Sequence, residues 1–417
     1  MSTVKATIIT IGDELLIGQT IDTNSAWMAQ RLNELGIDID RRVTVTDTKE
    51  GIKLALDEEI ARADIILMTG GLGPTADDIT KPFLCDYFGG KLVVDEKVLA
   101  HVKNLFAVRN RPFIERNLKQ AEVPDVCTVL YNEVGTAPGM LFEPNGKFIV
   151  SMPGVPFEMM DIMEAEVLPR LKEKYVSDAI VHQTIITSGE GESFIAEHIK
   201  DIEEQIPAHI KLAYLPSPGI VKLRLTGRAQ DKALLEKEIA EIQSQIKERI
   251  ENIVVAEEDI PLQEILGRAL QAKHATVSFA ESCTGGYVAH LMTQVQGSSE
   301  YFNGAIDPYQ SKLKHKIVGV DTTTLEEHSA ISEEVAIELA TKTRVLMDSD
   351  YSLSITGQLS YGGEDDHIES GIVWMAVADK ERCETKRFKF HYDRWINKEQ
   401  AAQMGMLMMW KFVNNKL

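Results

Sequence analysis

Strand-like and helix-like segments alternate along the first 165 or so residues, and this pattern restricts the fold more than any other feature of the chain. Strands that alternate with helices pair in parallel, because each crossover helix returns the chain to the same end of the sheet. The first domain is therefore predicted to be an α/β fold with a doubly wound parallel sheet. The predicted strands are 6–11, 43–46, 64–69 and 147–151, and the predicted helices are 24–35 and 50–62.

The rest of the sequence divides into a small unit and a larger one, because 417 residues are too many for a single core. Both units are predicted to be α/β, and the acidic stretch 255–261 between them is interpreted as a linker. We place the three predicted domains at 1–168, 169–257 and 258–417. The strands predicted in the second and third domains are 182–187, 211–214, 221–226, 275–280, 351–356, 371–378 and 386–391.

Composition limits the classes of partner. The net charge of −20 argues against binding to a nucleic-acid backbone, which requires a basic face. No apolar run reaches membrane-spanning length, and the N-terminus lacks a signal-peptide pattern. The four cysteines are widely spaced, which predicts reduced thiols rather than a disulfide framework or a zinc site. A cytoplasmic protein without nucleic-acid or membrane partners is expected.

Three loops of the first domain directly follow predicted strands. They are Gly12–Glu14, 70–80 and 153–156. In an open parallel sheet, ligands bind in the crevice beyond the carboxyl ends of the strands. Three polar or glycine-rich loops at the same sheet edge therefore predict a ligand site in the first domain.

The second of these loops has the composition of a phosphate site. Gly70, Gly71 and Gly73 would let backbone N–H groups approach a phosphate closely. Asp77 and Asp78 would then hold the divalent cation that such a phosphate usually needs. The loop is not a Walker motif, because no Gly-Lys-Ser/Thr follows. The alternative interpretation is a glycine-rich turn with a capping aspartate.

A second candidate site lies in the third domain, at Ala280–Gly286. A buried strand precedes this segment and a helix follows it, so Ser282 and Thr284 lie on a tight turn with Gly285 and Gly286. Such a turn exposes a hydroxyl and directs backbone N–H groups at a bound ligand, which suits a nucleophile or substrate-binding residues. The alternative is an ordinary helix cap. Cys283 is a less favoured nucleophile, because no histidine is well placed to activate it.

The motifs of the first domain resemble those of the molybdopterin-binding fold shared by the MogA and MoeA families, and more closely those of the CinA family. Residues 69–80 carry the first likeness, and the CinA likeness extends over the whole chain in that family's domain order. In combination the motifs are highly specific. The further matching segments are Thr10–Gln19, Asp22–Asn24, Asn117–Ala121, Asn132, Gly135–Gly139 and Met152–Met159.

The CinA resemblance implies that the first domain hydrolyses the pyrophosphate of ADP-ribose with a divalent metal ion, either Mg²⁺, Mn²⁺ or Co²⁺. Asp13 and Asp78 match the family's acids and, with Asp77, would hold the metal, so Asp78 would also act in catalysis. The middle domain resembles the family's small KH-like α/β domain, which we expect to be structural. The implied substrate-binding residues of the first domain are Gly70, Gly71, Gly73, Asn24, Lys119 and Gly154.

The third domain resembles the nicotinamide-nucleotide amidases, which convert nicotinamide mononucleotide to nicotinic acid mononucleotide and ammonia. The resemblance implies Ser282 as the nucleophile and Lys314 as the base, provided that burial lowers its pKa. Tyr309 would orient groups or relay a proton, Thr356 would hydrogen-bond the substrate, and Arg394 would bind the phosphate. Without the resemblance, Lys314 would be interpreted as an exposed helix lysine.

One loop of the third domain departs from the amidase pattern. After Thr356 that family carries Gly-x-x-Gly-Pro-x-Gly-Gly, whereas Gly357–Gly363 is one residue shorter and lacks the Gly-Pro pair. Asp307, Pro308 and Gln310 also depart from the pattern around the tyrosine motif. An active amidase and an inactive amidase domain are therefore both open.

Together these features predict a hydrolase of pyridine-nucleotide recycling whose ligands are small nucleotides. Three alternatives are open. The first domain alone is active, or the chain is a non-enzymatic partner protein linked to competence or DNA damage, or the first domain binds molybdopterin. A homodimer is expected, because closed two-fold pairs are the commonest soluble oligomers.

Overall fold

The computed structural model of this chain describes residues 4–75, 78–175, 179–360 and 369–417. The chain forms two compact α/β units, one of residues 1–181 and 227–237 and the other of residues 182–226 and 238–417. Within the described residues, no helix is long and apolar enough to cross a membrane.

The first unit is built on a six-stranded sheet with the strand order β2-β1-β3-β8-β7-β6. The strands are β1 (Lys5–Ile11), β2 (Asp38–Val45), β3 (Ile65–Thr69), β6 (Thr128–Leu130), β7 (Gly139–Phe142) and β8 (Phe148–Met152), with β4 (Leu92–Val94) and β5 (Glu122–Pro124) forming a separate pair. The first four strands of the sheet are parallel, as predicted. The sequence did not predict β6 and β7, of which β7 runs antiparallel to both β8 and β6.

Helices cover both faces of this sheet. Along β1, Ile8 packs with Met28 and other residues of one core, while Ile9 packs with Leu56 and other residues of a second core. This arrangement follows from the alternation of side chains along a strand. The helices are α1 (Asp13–Leu16), α2 (Thr23–Glu34), α3 (Lys49–Ile60), α4 (Thr80–Tyr87), α5 (Glu96–Val108), α6 (Glu115–Leu118), α7 (Pro156–Ile162) and α8 (Leu168–Tyr175).

A four-stranded sheet with the order β10-β11-β9-β12 forms the middle of the chain. Its elements are β9 (Ala179–Ser188), α9 (Glu192–Glu203), β10 (Ile210–Ser217), β11 (Ile220–Ala229), α10 (Lys232–Arg249) and β12 (Val254–Ala256). Strand β12 pairs antiparallel with β9, so the predicted linker 255–261 begins as a strand. Val255 is buried in the C-terminal core, which explains why this acidic stretch is ordered at its start.

The C-terminal sheet has the order β14-β13-β15-β16-β17. Strands β13 (Val277–Glu281), β14 (Phe302–Ile306) and β15 (Tyr351–Gly357) are parallel, whereas β16 (Ile372–Ala378) runs antiparallel to β15 and to β17 (Cys383–Lys389). Strand β17 therefore ends at the same edge as β13, β14 and β15. The helices are α11 (Leu262–Ala272), α12 (Tyr287–Thr293), α13 (Ser311–Leu313), α14 (Thr322–His328), α15 (Glu333–Leu346) and α16 (Arg394–Val413).

Candidate active sites

The turn after β13 places Ser282 beside the end of β15. The backbone N–H of Ser282 donates to the carbonyl oxygen of Ile355 at 2.9 Å, which fixes the turn against the neighbouring strand. The Ser282 residue is 7% exposed, and its hydroxyl makes no hydrogen bond to any residue in the described part of the chain. Its oxygen is therefore not committed to a structural contact with those residues.

Lys314 reaches the same strand end from the opposite side. It begins a π-helical turn, Lys314–Val318, and its Nζ donates to Oγ1 of Thr356 at 3.1 Å. Thr356 is fully buried and donates in turn to the carbonyl oxygen of Ala330 at 2.9 Å. Successive residues of β15, Ile355 and Thr356, thus contact the Ser282 backbone and the Lys314 amine. Thr356, which the sequence assigned to substrate, serves here to position Lys314.

Burial sets the protonation of this lysine. Lys314 is 2% exposed, and burial lowers its pKa to about 8, opposed by the nearby thiol of Cys283 and carboxylate of Asp307. A fraction of the amine is therefore neutral near neutral pH, as a general base requires. The interpretation of Lys314 as an exposed helix lysine is wrong.

Tyr309 and Arg394 meet at the outer side of this edge. Nη2 of Arg394 donates to the Tyr309 hydroxyl at 2.7 Å, and Nη1 donates to Oγ of Ser360 at 3.3 Å.

The sequence did not identify Asn397, whose buried side chain donates to the carbonyl oxygen of Leu359 at 2.8 Å and so connects α16 to the loop that follows β15. Of that loop, residues 361–363 lie outside the described residues.

The double glycine is required by the backbone of the turn. Gly285 and Gly286 have φ angles of +56° and +78°, which residues with a Cβ rarely adopt. The helix N-terminus is less open than the sequence predicted, however. The carboxylate of Glu281 accepts the N–H groups of Val288 and Ala289 at 2.9 and 2.8 Å. Donors for a ligand must therefore come from the turn itself rather than from α12.

Two buried side chains of the turn, those of Thr284 and Cys283, are poorly suited to contact a ligand or to react. Thr284 is fully buried, and its hydroxyl lies beside the Glu281 carboxylate, so its predicted contact with substrate has no open path here. Burial raises the pKa of the Cys283 thiol to about 12, which keeps it protonated and unreactive. This arrangement disfavours Cys283 as the nucleophile.

Asp307, one of the residues that depart from the amidase pattern, lies close to the site. Its carboxylate is near Lys314, and Lys398, which the sequence did not identify, is also near it. A Cβ added at Gly285 would lie 3.8 Å from Asp307 Oδ2 and 4.0 Å from Lys398 Nζ. The Asp307 carboxylate and the Lys398 amine therefore flank the glycine turn.

The three predicted loops of the first unit meet at one cavity of about 430 Å³. Its wall includes Glu14 from the first loop, residues 70–74 from the second and 153–155 from the third. Gly70, Gly71, Gly73, Gly154 and Asp78 all line it. The sheet edge therefore brings together most of the residues that the sequence proposed there.

At each glycine of the second loop, a Cβ atom would come too close to a neighbouring group. A Cβ at Gly70, where φ is +116°, would meet the carbonyl oxygen of Ile11, and one at Gly71 would meet Oγ1 of Thr80. A Cβ at Gly73 would meet the carboxylate of Asp78. The loop is therefore closely packed against the first strand and the helix α4.

Asp78 is bound to its own loop. Its carboxylate accepts the N–H of Gly73 at 2.8 Å and the N–H and hydroxyl of Thr75, the former at 2.9 Å. The capping alternative is thus part of its role, and replacement by alanine would disturb the loop itself. Asp77 lies outside the described residues.

Carboxylates concentrate around this cavity. Glu14, Asp47 and Asp78 line it, and Asp13 and Asp47 exchange backbone-to-carboxylate hydrogen bonds at 3.4 Å. Burial raises the pKa of Asp47, and the negative charges of Glu14 and Asp13 act in the same direction. No three described His, Cys, Asp or Glu side chains form a ready-made metal site. Glu14, Asp47 and Asp78 could supply the one or two carboxylate ligands that an ion of the Mg²⁺ type takes from a protein.

Neither Asn24 nor Lys119 lines this cavity. Nδ2 of Asn24 donates to the carbonyl oxygen of Gly154 at 2.8 Å and to Thr69 at 3.3 Å, so Asn24 ties the loops together. Lys119 is exposed and absent from the cavity wall, whereas its carbonyl oxygen accepts from Nζ of Lys81 at 2.7 Å. The sequence did not identify Lys81, whose amine holds this backbone segment in place by its hydrogen bonds. Burial lowers the pKa of the Lys81 amine to about 8.

Glu158 is a further cavity carboxylate, outside the set of site residues predicted from the sequence. It lies in the first turn of α7, lines the cavity and accepts from Nδ2 of the buried Asn132 at 2.6 Å. Burial raises its pKa, and the hydrogen bond from Asn132 opposes that rise. Both residues stand in motifs quoted for the family resemblance, so their sequence signal was present.

The fold defines a multidomain α/β protein with a loop-lined cavity in its first unit and, in its second unit, a glycine turn at Ser282 beside the strand end that contacts Lys314. Family models match three consecutive ranges of the chain: "Probable molybdopterin binding domain" at 7–173, "Damage-inducible protein CinA KH domain" at 182–256 and "CinA C-terminal domain" at 259–413.

Full-length relatives agree with these matches. The chain is 42% identical to a CinA-like protein of Flavobacterium psychrophilum, covering 98% of each chain, and 41% identical to one of Cytophaga hutchinsonii, covering 96% of each. A solved structure of a CinA protein of unknown function from Thermoplasma acidophilum is 34% identical over 39% of this chain and 96% of that one, with a TM-score of 0.36. This chain belongs to the CinA family.

Proposed function

We propose that the C-terminal domain is an amidohydrolase that converts nicotinamide mononucleotide to nicotinic acid mononucleotide and ammonia. The observation that carries the proposal is the contact of the buried Lys314 amine with Thr356, one residue beyond the carbonyl that holds the Ser282 backbone. A nucleophile and a base with a lowered pKa are thereby supported by the same strand end.

In this mechanism Ser282 attacks the amide carbon, and neutral Lys314 accepts the hydroxyl proton. Backbone N–H groups of the turn stabilise the oxyanion, except that of Gly285, which donates to the carbonyl oxygen of Ser282. The proton passes to the leaving nitrogen as the C–N bond breaks and ammonia departs. Water then attacks the acyl-serine ester, which releases the carboxylate product. The exposed guanidinium of Arg394, paired with Tyr309, suits the phosphate of the nucleotide.

The test is incubation of the purified chain with nicotinamide mononucleotide. Ammonia is measured enzymatically, and nicotinic acid mononucleotide is measured by chromatography. Equal amounts of both products would support an amidohydrolase. Cleavage of the glycosidic bond to free nicotinamide, or no reaction at all, would contradict the proposal.

The rate of ammonia release should rise with pH and level off above about 8, the pKa to which burial lowers the Lys314 amine. Only the neutral amine can accept a proton, so kcat/KM should fall about tenfold for each pH unit below that value. Steady-state kinetics between about pH 6 and 9.5 measure the profile. Lys314→Met should remove this dependence together with most of the rate. A flat profile in the unsubstituted chain would rule out Lys314 as the base.

A second function is proposed for the first domain, the hydrolysis of ADP-ribose to AMP and ribose 5-phosphate. The cavity of about 430 Å³ supports it, because three glycine-rich or acidic loops surround a space large enough for a nucleotide. Glu158, held by Asn132, is suited to accept a proton from the attacking water. The backbone of the loop 70–73 would contact the pyrophosphate.

The acidic wall also supports a divalent cation as cofactor of this reaction. A pyrophosphate cannot approach Glu14, Asp47 and Asp78 without compensation of charge, and a bound Mg²⁺, Mn²⁺ or Co²⁺ would supply it. Incubation with ADP-ribose in the presence and absence of each metal, with product analysis by chromatography, tests both substrate and cofactor.

The chain is expected to form a homodimer, since closed two-fold pairs predominate among soluble oligomers. Light scattering coupled to size exclusion should therefore give twice the chain mass of 46.5 kDa at micromolar concentration. A mass equal to that of one chain would contradict this expectation.

A further inference from the structure

Gln358 is a buried polar side chain without a visible purpose in the fold. It follows the last residue of β15 and is 8% exposed, and its Oε1 has no hydrogen-bond partner among the residues placed by the structure. Its backbone is satisfied separately, by the carbonyl oxygen of Ile372 at 2.8 Å and the N–H of Gly371 at 2.7 Å. A buried amide oxygen without a hydrogen bond is energetically unfavourable, so a binding partner is expected for it.

The pattern of the strand places Gln358 on the same side as Thr356. Ile355 and Leu359 both belong to the core that packs against α16. Thr356 lies on the opposite face, where its hydroxyl contacts Lys314 and Ala330. Because side chains alternate along an extended chain, Gln358 lies on the Thr356 face, two residues beyond it. The alternation therefore assigns its side chain to the face of β15 on which Thr356 contacts Lys314.

We propose that Gln358 determines specificity at this site by pairing its carboxamide with the carboxamide of the substrate, an inference that rests on the proposed amidohydrolase function. The buried Oε1 needs an N–H donor. A primary amide supplies one, whereas a carboxylate supplies only acceptors. A carboxylate cannot donate to Oε1, so the acid product lacks the N–H···O hydrogen bond that the amide substrate offers. The site therefore binds the amide substrate and disfavours the acid product.

Binding measured without turnover tests this role. In the Ser282→Ala background, isothermal titration calorimetry compares nicotinamide mononucleotide with nicotinic acid mononucleotide. We expect the amide to bind at least about tenfold more tightly. Adding Gln358→Leu should bring the two affinities within about twofold of each other. The matched control is Gln263→Leu, which removes an equally buried glutamine on α11 and should keep the preference.

A conservative variant separates recognition from packing. Gln358→Glu keeps an acceptor oxygen and the side-chain volume, so it should retain the preference for the amide, and thermal melting confirms that each variant is folded. Equal affinities in the Ser282→Ala background, or a preference that survives Gln358→Leu, would overturn the role of Gln358 while ammonia release by the unsubstituted chain still supports an amidase. Absence of ammonia release together with binding of neither nucleotide would overturn both.

Discussion

Replacing Ser282 by alanine should lower ammonia release from nicotinamide mononucleotide by about 10⁴-fold or more, because loss of a nucleophile removes the covalent route entirely. The fold should be preserved, since the hydroxyl makes no hydrogen bond within the described chain and the turn is held by the Ser282 backbone and the two glycines. Ammonia assays with purified variants of equal thermal stability measure the effect.

Two companion variants make this result specific. Cys283→Ala should keep most of the activity, because burial holds the neighbouring thiol protonated. Lys314→Met should lose nearly as much activity as Ser282→Ala, and the double variant should be little worse than either, because residues that act as one unit give non-additive losses. A large loss in Cys283→Ala with an active Ser282→Ala would assign the reaction to the thiol instead.

The main strands could be predicted because they are predominantly apolar runs. Strands β1, β3 and β8 are buried on both faces, and such runs of five to seven residues are evident in a sequence. The short strands β6 and β12, of three residues each, have no such signal, and their pairing depends on neighbours distant in the chain. The direction of β16 likewise follows from its neighbours rather than from its own residues.

The location of both candidate sites was predictable for a topological reason, whereas the partner of each side chain was not. Loops that follow parallel strands meet at one edge, so residues such as Gly71 and Gly154 could be expected near each other. Asn24, Asp78 and Thr356 were expected to face ligand, but each also satisfies buried backbone or hydroxyl groups. Spacing along the sequence does not reveal which buried backbone and hydroxyl groups need a hydrogen-bond partner.

The buried lysines Lys81 and Lys314 show the same limit of prediction from sequence. Lys81 and Lys314 are both lysines near helix starts, and both have a pKa lowered to about 8 by burial. Nζ of Lys81 donates to three backbone carbonyls, at 2.7, 3.4 and 2.9 Å, and so acts as a brace. Nζ of Lys314 donates to one hydroxyl and retains capacity for chemistry. Only the number of partners distinguishes the two, and this number follows from the tertiary structure.

Replacing Asp78 by alanine should lower ADP-ribose hydrolysis by at least about 100-fold. The substitution removes the acceptor of two backbone N–H groups, those of Gly73 and Thr75, and a negative charge from the cavity wall. Both the shape of the glycine loop and the attraction for a cation would be lost. The assay is chromatographic detection of AMP with Mg²⁺, Mn²⁺ and Co²⁺ in turn. A matched control is Asp95→Ala, which removes a helix-capping aspartate of α5 away from the cavity.

Asp78→Asn separates the two contributions. Asparagine keeps one acceptor oxygen for the loop and loses the charge, so an activity well above that of Asp78→Ala would show that loop shape dominates. Equal activities of the two variants, with a raised metal requirement in both, would show that the charge dominates. Retention of full activity in Asp78→Ala would exclude Asp78 from the site, because neither the loop nor the cation would then depend on it. An unsubstituted chain that is inert with all three metals would refute the hydrolysis of ADP-ribose itself.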